Sequence, residues 1–308
     1  LNKKRVLYIL IPFIKYLKKE KPDIVFTAGD HLNGIVLLAA IISGSKVKVS
    51  GSSRVTPYDT YSKIPFTKRW VLKLFLRAVM PRADALTCVS KDMVEQYNHV
   101  FKSPPHVCVY NIIDDRHSRK MMEESVEDSQ FHNKKDPLIV AAGTLEPWKG
   151  FSDLILAMKY LTETTKAKLV IFGDGSLKAT LQAQIDDLNL GETVKLFGNV
   201  ENPFKYFRHA DVFVLSSYVE GLPNVLVEAM MCGCTPVSTD CPTGPREVLD
   251  SGKYGYLVPV KDPVNMAIAI QAAIEFPISR DLLDEVIQPF SEYEVLKKHF
   301  EVLGINSD

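Results

Sequence analysis

Several things are scarce in this chain, and each scarcity removes a class of protein. Cysteine occurs five times, at positions 88, 108, 232, 234 and 241, with no Cys-x-x-Cys pair and no histidine at zinc-ligand spacing. That pattern argues against a disulfide framework and a structural zinc site, and reads as reduced, mostly buried thiols. Long apolar runs are also missing. The longest, Ile35 to Ile42, has eight residues and is too short to cross a bilayer. No Gly-x-Gly-x-x-Gly turn is present, so a dinucleotide-dependent oxidoreductase lacks its phosphate-binding signature. No signal peptide is visible, and the chain opens on Leu1 instead of Met. It is therefore expected to lack its natural beginning.

What is present is an ordinary globular composition, 46% hydrophobic and 24% charged over 308 residues, which suggests two domains with a core each. The formal net charge is zero but unevenly spread. Residues 1–110 hold 18 Lys and Arg against 7 Asp and Glu, and the remainder holds 19 against 30. A basic first half suits acidic lipid headgroups or a phosphorylated substrate, with a generic solvated surface as the plain alternative.

From Asp136 onward, short apolar runs alternate with helix-like stretches, beginning with Pro137–Ala142, Phe151–Leu161, Lys168–Phe172 and Leu177–Leu188. This alternation predicts an α/β fold built on a doubly wound parallel sheet. The first part repeats the pattern in shorter form, with strands near Asp23–Phe26, Lys46–Ser50, Ala85–Val89 and His106–Val109. It opens in a helix, so its first strands are expected to be absent. The expected division is residues 1–113 as the first domain, 114–136 as a charged linker, 137–288 as the second domain and 289–308 as a C-terminal helix. That helix starts near Ser291 with Glu294 as capping-box partner, and either closes the second domain or returns to the first.

In a doubly wound sheet, ligands bind beyond the carboxyl ends of the strands. Five segments fall there: Gly143 to Gly150, Phe172 to Ser176, Phe197 to Asn199, Ser216 to Glu220 and Asp240 to Glu247. The most telling runs from Ser216 to Met231, where a buried strand meets a short helix and places Glu220 and Glu228 eight residues apart. Pro223 suits the first helical turn, Asn224 is a candidate side-chain cap, and Gly233 is placed to end the helix. Backbone N–H groups at Leu222, Asn224 and Val225 are expected to lack partners and to form an anion site. Each residue has a plainer reading: Glu228 as a solvated helix residue, Glu220 as a complement to the helix dipole, Lys149 as a turn lysine and Gly173 as a simple chain reversal.

Taken together, Val109-Tyr-Asn-Ile-Ile-Asp114, Gly143 with Lys149-Gly150, Phe172-Gly-Asp-Gly175, the Glu220/Glu228 pair and Cys241-Pro-Thr-Gly-Pro-Arg-Glu-Val-Leu249 resemble the family-four retaining glycosyltransferases (group 1 glycosyltransferases) of GT-B architecture. The resemblance covers nearly all of residues 20–303. It implies two Rossmann-like doubly wound domains, the first of them incomplete here, and a nucleotide sugar, usually a UDP-sugar, bound to the second. It further implies that Lys149 pairs with the diphosphate, that Glu228 accepts from the ribose hydroxyls and that Glu220 acts at the donor sugar as the catalytic carboxylate. Gly143, Thr144, Gly173, Asn199, Gly221, Leu222, Asn224 and Val225 complete the implied donor site. No metal and no cofactor beyond the donor substrate is expected, because Lys149 and the helix N-terminus can neutralise the leaving diphosphate.

This chain departs from the family pattern in two places. Thr144 stands where many members have Arg, and Ser50-Gly-Ser-Ser-Arg54 stands where many have a histidine after the strand. His31 and Arg54 are the acceptor-side candidates, and the glycine-rich acceptor loop is expected to lie outside the chain. The implied reaction is transfer of a hexose or N-acetylhexosamine from a UDP-sugar to a hydroxyl of a lipid-linked or surface glycan, with retention. The alternative is a nucleotide-sugar holder without turnover. The expected partners are the donor and a glycan or polyprenyl-diphosphate-linked acceptor, with no nucleic acid.

Basic clusters at Lys15, Lys18, Lys19 and Lys21 and at Lys63, Lys68, Arg69, Lys73 and Arg77 have Tyr16, Phe66, Trp70 and Leu74 beside them. They suit an acidic membrane surface and a peripheral place on the cytoplasmic face, or else an ordinary helix packed on its own sheet.

Overall fold

The computed structural model of the chain describes residues 7–102, 104–128, 131 and 135–305. They form two compact units. One holds the residues up to Asn111 together with those from Val295 onward, and the other is Ile112–Glu294.

In the first unit, strands β1 (Ile24–Ala28), β2 (Lys48–Ser53), β3 (Ala85–Cys88) and β4 (Val107–Cys108) make a parallel sheet in that spatial order. Helix α1 (Leu10–Glu20) precedes β1, and helices α2 (Asp30–Ser43), α3 (Lys68–Val79) and α4 (Lys91–Val100) lie on the connections between the strands. Helix α2 begins at Asp30, where Gly29 turns the chain at φ +92° directly after β1. α3 starts at an N-cap, Thr67, whose side chain accepts from the Trp70 N–H, and α4 starts at Ser90, which accepts from Met93.

In the second unit, β5 (Leu138–Ala142), β6 (Lys168–Phe172), β7 (Val194–Gly198), β8 (Val212–Leu215), β9 (Thr235–Thr239) and β10 (Tyr256–Val258) are all parallel, in the order β10-β9-β8-β5-β6-β7. Its longer helices are α5 (Arg116–Met122), α6 (Phe151–Leu161), α7 (Lys178–Asp187), α8 (Asn224–Met231), α9 (Pro263–Glu275) and α10 (Arg280–Ile287), and α11 (Glu292–Val302) begins here and runs on past the division at Glu294. Strands β5 and β8 are unbroken apolar runs, and β6 is apolar after the exposed Lys168, because helices cover both faces, while β9 is buried throughout although Thr235, Ser238 and Thr239 are polar. Ile139, Leu169, Val212 and Val237 from four neighbouring strands pack with Leu154, Met158, Met266 and Ile270 of α6 and α9, each fully or nearly fully buried. The chain steps outward through β5, β6 and β7, then returns to place β8 on the other side of β5. That reversal between β5 and β8 is the switch point at which such sheets open a crevice.

The stretch 114–136 is not a bare linker. It contains α5, capped by Asp115, whose Oδ1 accepts from the Ser118 N–H at 2.7 Å. Asn202 and Arg208 donate to the last carbonyls of α5 at Met121 and Met122, at 2.8 and 2.7 Å. Phe131, 1% exposed, stacks among Phe172, Phe197 and Tyr206. The charge that gave it a linker's composition lies on solvent-facing positions, while a few carbonyls and one aromatic ring tie it down. Residues 129, 130 and 132–134 of the stretch lie outside the described residues. Near the C-terminus, the Ser291 Oγ accepts from the Glu294 N–H at 3.4 Å at the start of α11, and the division between units falls inside that helix.

Candidate functional site

The loops after β5, β6, β8 and β9 are laced together by backbone hydrogen bonds. Gly143 N–H donates to the Phe172 carbonyl at 3.0 Å, Leu145 N–H to Asp174 at 3.0 Å and Gly173 N–H to Gly198 at 2.8 Å. Gly173 has φ +138°, and a Cβ there would stand 1.9 Å from the Gly143 oxygen. Its identity therefore follows from this backbone crossing. Glu146, which sequence reasoning passed over, accepts from the Ser176 hydroxyl at 2.8 Å and fastens the same two loops. Thr144 and Asn199 sit exposed on this rim.

At the switch point the lacing is tighter. The turn Pro147–Lys149 ends at Gly150, whose φ is +66° and whose Cβ would lie 2.0 Å from the Ser216 carbonyl oxygen. Ser216 Oγ donates to the Lys149 carbonyl at 2.8 Å, and Tyr218 N–H to the Trp148 carbonyl at 2.8 Å. Lys149 is thereby held against the loop after β8, and its Nζ reaches Glu220 Oε1 at 2.6 Å. Ser217 Oγ donates to the same oxygen, also at 2.6 Å. The two charged side chains are partly buried, 18% and 13% exposed. Glu220 is fixed from its other side as well: its N–H donates to Pro242 at 2.8 Å and its carbonyl accepts from Thr243 N–H at 2.9 Å. The Thr243 hydroxyl donates to the carbonyl of Gly221 at 3.1 Å.

Beyond Gly221 the start of α8 differs from the expectation. Pro223 is the N-cap, with ψ 83° and no side-chain cap, and Asn224 is the first helical residue. That tight turn folds the Asn224 N–H back onto the Leu222 carbonyl at 3.0 Å, and Leu226 N–H onto Pro223 at 3.0 Å. The anion-binding donors that remain are therefore two of the expected three. Leu222 and Val225 N–H have no acceptor among the described residues.

Glu228, one turn into α8, is half-buried, and burial holds its carboxyl above the usual carboxylate range. No described donor reaches its side chain. The arrangement is a cation, two open N–H groups and a carboxylate to either side of them, which suits a ligand with an anionic middle and hydroxyl-bearing ends. Among the described residues no three His, Cys, Asp or Glu side chains gather as a metal site.

The acceptor-side candidates lie in the first unit. His31 is exposed, the second residue of α2. Its neighbour Asp30 is buried and points inward. It accepts from Ser53 Oγ and Tyr97 OH, each at 2.6 Å, and from Tyr61 OH. Burial first, and the Asp30 charge second, raise both tyrosine hydroxyls far above their ordinary range. His106, its ring tilted against that of Tyr97 with centroids 4.8 Å apart, is pushed down to about 4 by burial and is neutral at pH 7. Arg54, exposed beyond β2, donates to the Asn111 side chain. The residues that sequence reasoning missed, Glu146, Ser217 and Thr243, carry no spacing signal of their own. Only their place next to the rim segments marked them.

Residues 122–287 match the model of the glycosyl transferases group 1, and residues 2–117 that of glycosyltransferase family 4. An uncharacterised glycosyltransferase of Methanocaldococcus jannaschii is 30% identical over 93% of this chain and 75% of its own length. An N-acetylgalactosaminyltransferase of Campylobacter jejuni, named for an undecaprenol-diphosphate-linked N-acetylgalactosamine–diacetylbacillosamine acceptor, is 32% identical over 87% of the chain and 73% of its own length. Among solved structures, an Anabaena protein in complex with UDP aligns with TM-score 0.78 at 18% identity over 96% of this chain and 81% of its own. A lipopolysaccharide outer core galactosyltransferase in its apo form aligns at TM-score 0.74 and 20% identity, over 99% of this chain and 81% of its own. These likenesses establish the two-domain α/β fold of GT-B type.

Proposed function

The chain belongs to the group 1 glycosyltransferases, and on that footing we propose that it moves a hexose or N-acetylhexosamine from a UDP-sugar to a hydroxyl of a lipid-linked or surface glycan, with retention at the anomeric carbon. The observation that carries this reading is the Lys149–Glu220 contact of 2.6 Å at the strand reversal, beside the open N–H groups of Leu222 and Val225. Lys149 and those N–H groups stabilise the diphosphate as charge builds on it during departure. Glu228 accepts from the ribose hydroxyls. Glu220 orients the donor sugar through its second oxygen, and the acceptor hydroxyl attacks from the face that UDP leaves. The undecaprenol-linked acceptor in the name of the Campylobacter relative supports a lipid-linked glycan, and the UDP bound in the Anabaena structure supports the nucleotide.

A panel of UDP-glucose, UDP-galactose, UDP-N-acetylglucosamine and UDP-N-acetylgalactosamine, followed by UDP release, tests the proposal. Glu220→Ala is expected to lose about a hundredfold or more in turnover while UDP still binds. Glu228→Ala is expected to weaken UDP binding itself. UDP binding without release from any donor would favour a nucleotide-sugar holder, and no UDP binding would sink the assignment.

The same reading extends to a membrane surface. Phe66 is 90% exposed and Ile64, Val71 and Leu74 are also open to solvent, on α3 and the loop before it. Lys63, Lys68, Arg69 and Arg77 surround them, also exposed. Burial, then the neighbouring charges of Arg77 and Lys63, hold the Lys73 ammonium below its ordinary value. A basic face with aromatic and aliphatic residues suits anionic headgroups above an apolar layer. No described helix is long and apolar enough to cross a membrane. Sedimentation with phosphatidylglycerol vesicles at low salt, released at high salt and lost in Phe66→Asp, is the expected result. Equal partitioning onto phosphatidylcholine vesicles would count against it.

A further inference from the structure

The Glu220 carboxylate carries both of its side-chain donors on one oxygen. Lys149 Nζ and Ser217 Oγ each stand 2.6 Å from Oε1, and no described donor reaches Oε2. The two donors are not equivalent. Lys149 is a charge at the end of a flexible stem with three protons to give, and an arriving diphosphate competes with Glu220 for it. Ser217 is 1% exposed at the end of β8, and its carbonyl accepts the Thr239 hydroxyl. Its neighbour Ser216 is bonded to the Lys149 carbonyl. The Ser217 hydroxyl has a single proton, and that proton points at Glu220.

We infer that Ser217 is a positioning residue for Glu220. When the donor diphosphate draws Lys149 away, Ser217 keeps Oε1 in place and leaves Oε2 aimed at a hydroxyl of the donor sugar. The inference rests on the reading that Glu220 meets that sugar. It goes further in dividing the two supports by time. Lys149 and Ser217 share the carboxylate before the donor arrives, and Ser217 alone fixes it afterwards. A carboxylate released by both would swing about its own side-chain torsions and lose the geometry on which transfer depends.

The test uses the full chain with the UDP-sugar it turns over fastest, measuring kcat and KM from UDP release, and UDP affinity by calorimetry. Four variants are compared: Ser217→Ala, Ser217→Thr, Glu220→Ala and the Ser217→Ala/Glu220→Ala pair. Loss of a hydrogen bond to a charged group predicts a kcat for Ser217→Ala about tenfold or more below that of the parent, with UDP affinity within about twofold. Ser217→Thr, which keeps the hydroxyl, recovers most of the rate. The double variant falls no further than Glu220→Ala, because the serine acts only through the carboxylate. Unchanged kcat in Ser217→Ala while Glu220→Ala is crippled would overturn the inference. So would additive losses in the double variant, or a loss shared by Ser217→Thr together with UDP affinity, which would mark Ser217 as merely structural. Full turnover in Glu220→Ala would overturn the reading beneath it, and that result is distinct from the others.

Discussion

Asp30 and Glu220 each follow closely after a parallel strand, β1 in the first unit and β8 in the second, and each accepts hydroxyl hydrogen bonds from its own chain. Their surroundings differ. Asp30 is 8% exposed and faces three hydroxyls, from Ser53, Tyr61 and Tyr97, two of them on rings packed edge to face at 6.4 Å. Glu220 has one buried hydroxyl, one ammonium on a flexible stem and an oxygen with no donor among the described residues. A buried carboxylate satisfied by its own core holds a fold together, because each partner left alone would be costly. One whose partners are half movable and half missing is arranged for a ligand. The same fold logic, a polar group at the carboxyl end of a strand, thus yields a structural anchor in one unit and the proposed binding site in the other.

The contrast breaks most sharply if the backbone that carries the open end is disturbed. Gly150→Ala drives a Cβ to 2.0 Å from the Ser216 oxygen at a φ of +66°, and is expected to destabilise the second unit by about 4 kcal/mol. The readout is the urea midpoint, with UDP binding lost in step; an unshifted midpoint would mean that the loops after β5 and β8 are not held as described. Next in size is Asp30→Ala, which strands the Ser53 and Tyr61 hydroxyls, while Tyr97 keeps the Val55 carbonyl at 2.9 Å. A loss of about 3 kcal/mol is expected, with UDP affinity unchanged because the proposed nucleotide site belongs to the other unit. A weakened UDP affinity at full stability would erase the distinction between anchor and site.

How much of this was legible in the sequence follows from which forces act locally. The second unit reads almost element by element. Helix Phe151–Leu161 and strand Lys168–Phe172 fall where the apolar pattern puts them, the strand because its positions after Lys168 are covered on both faces and apolar throughout. Helix α5 and the burial of Phe131 were hidden, since a few tertiary hydrogen bonds to carbonyls outweigh a charged composition. At the site, Glu220 was marked by its spacing from Glu228 and Lys149 by the family resemblance, but their direct contact was not, nor was Ser217 between them: such a contact depends on the close approach at Gly150. The start of α8 went the other way. Capping preferences put Pro223 inside the helix and Asn224 at its cap, and a single ψ of 83° at Pro223 turned one expected anion donor inward.

Glu228 supplies the smallest and sharpest test, because stability and binding should move in opposite directions. Burial raises its carboxyl above the usual range, so the folded protein holds that proton more tightly than the unfolded chain does. The contribution to stability is full below the unfolded value of about 4.3 and is lost as pH rises through the higher folded value. Glu228→Gln removes the titration. Relative to the parent, it is expected to gain thermal stability at pH 8 and to gain nothing at about pH 3.5, where the parent is already neutral in both states. UDP affinity at pH 8 should nonetheless fall by about tenfold, the loss of the charge-assisted hydrogen bond proposed to the ribose. Asp30→Ala loses stability and spares binding, whereas Glu228→Gln gains stability and loses binding. If Glu228→Gln instead destabilises the protein at pH 8, its carboxylate has a structural partner and belongs with Asp30. If stability rises but UDP affinity holds, the charge is buried for something other than the ribose.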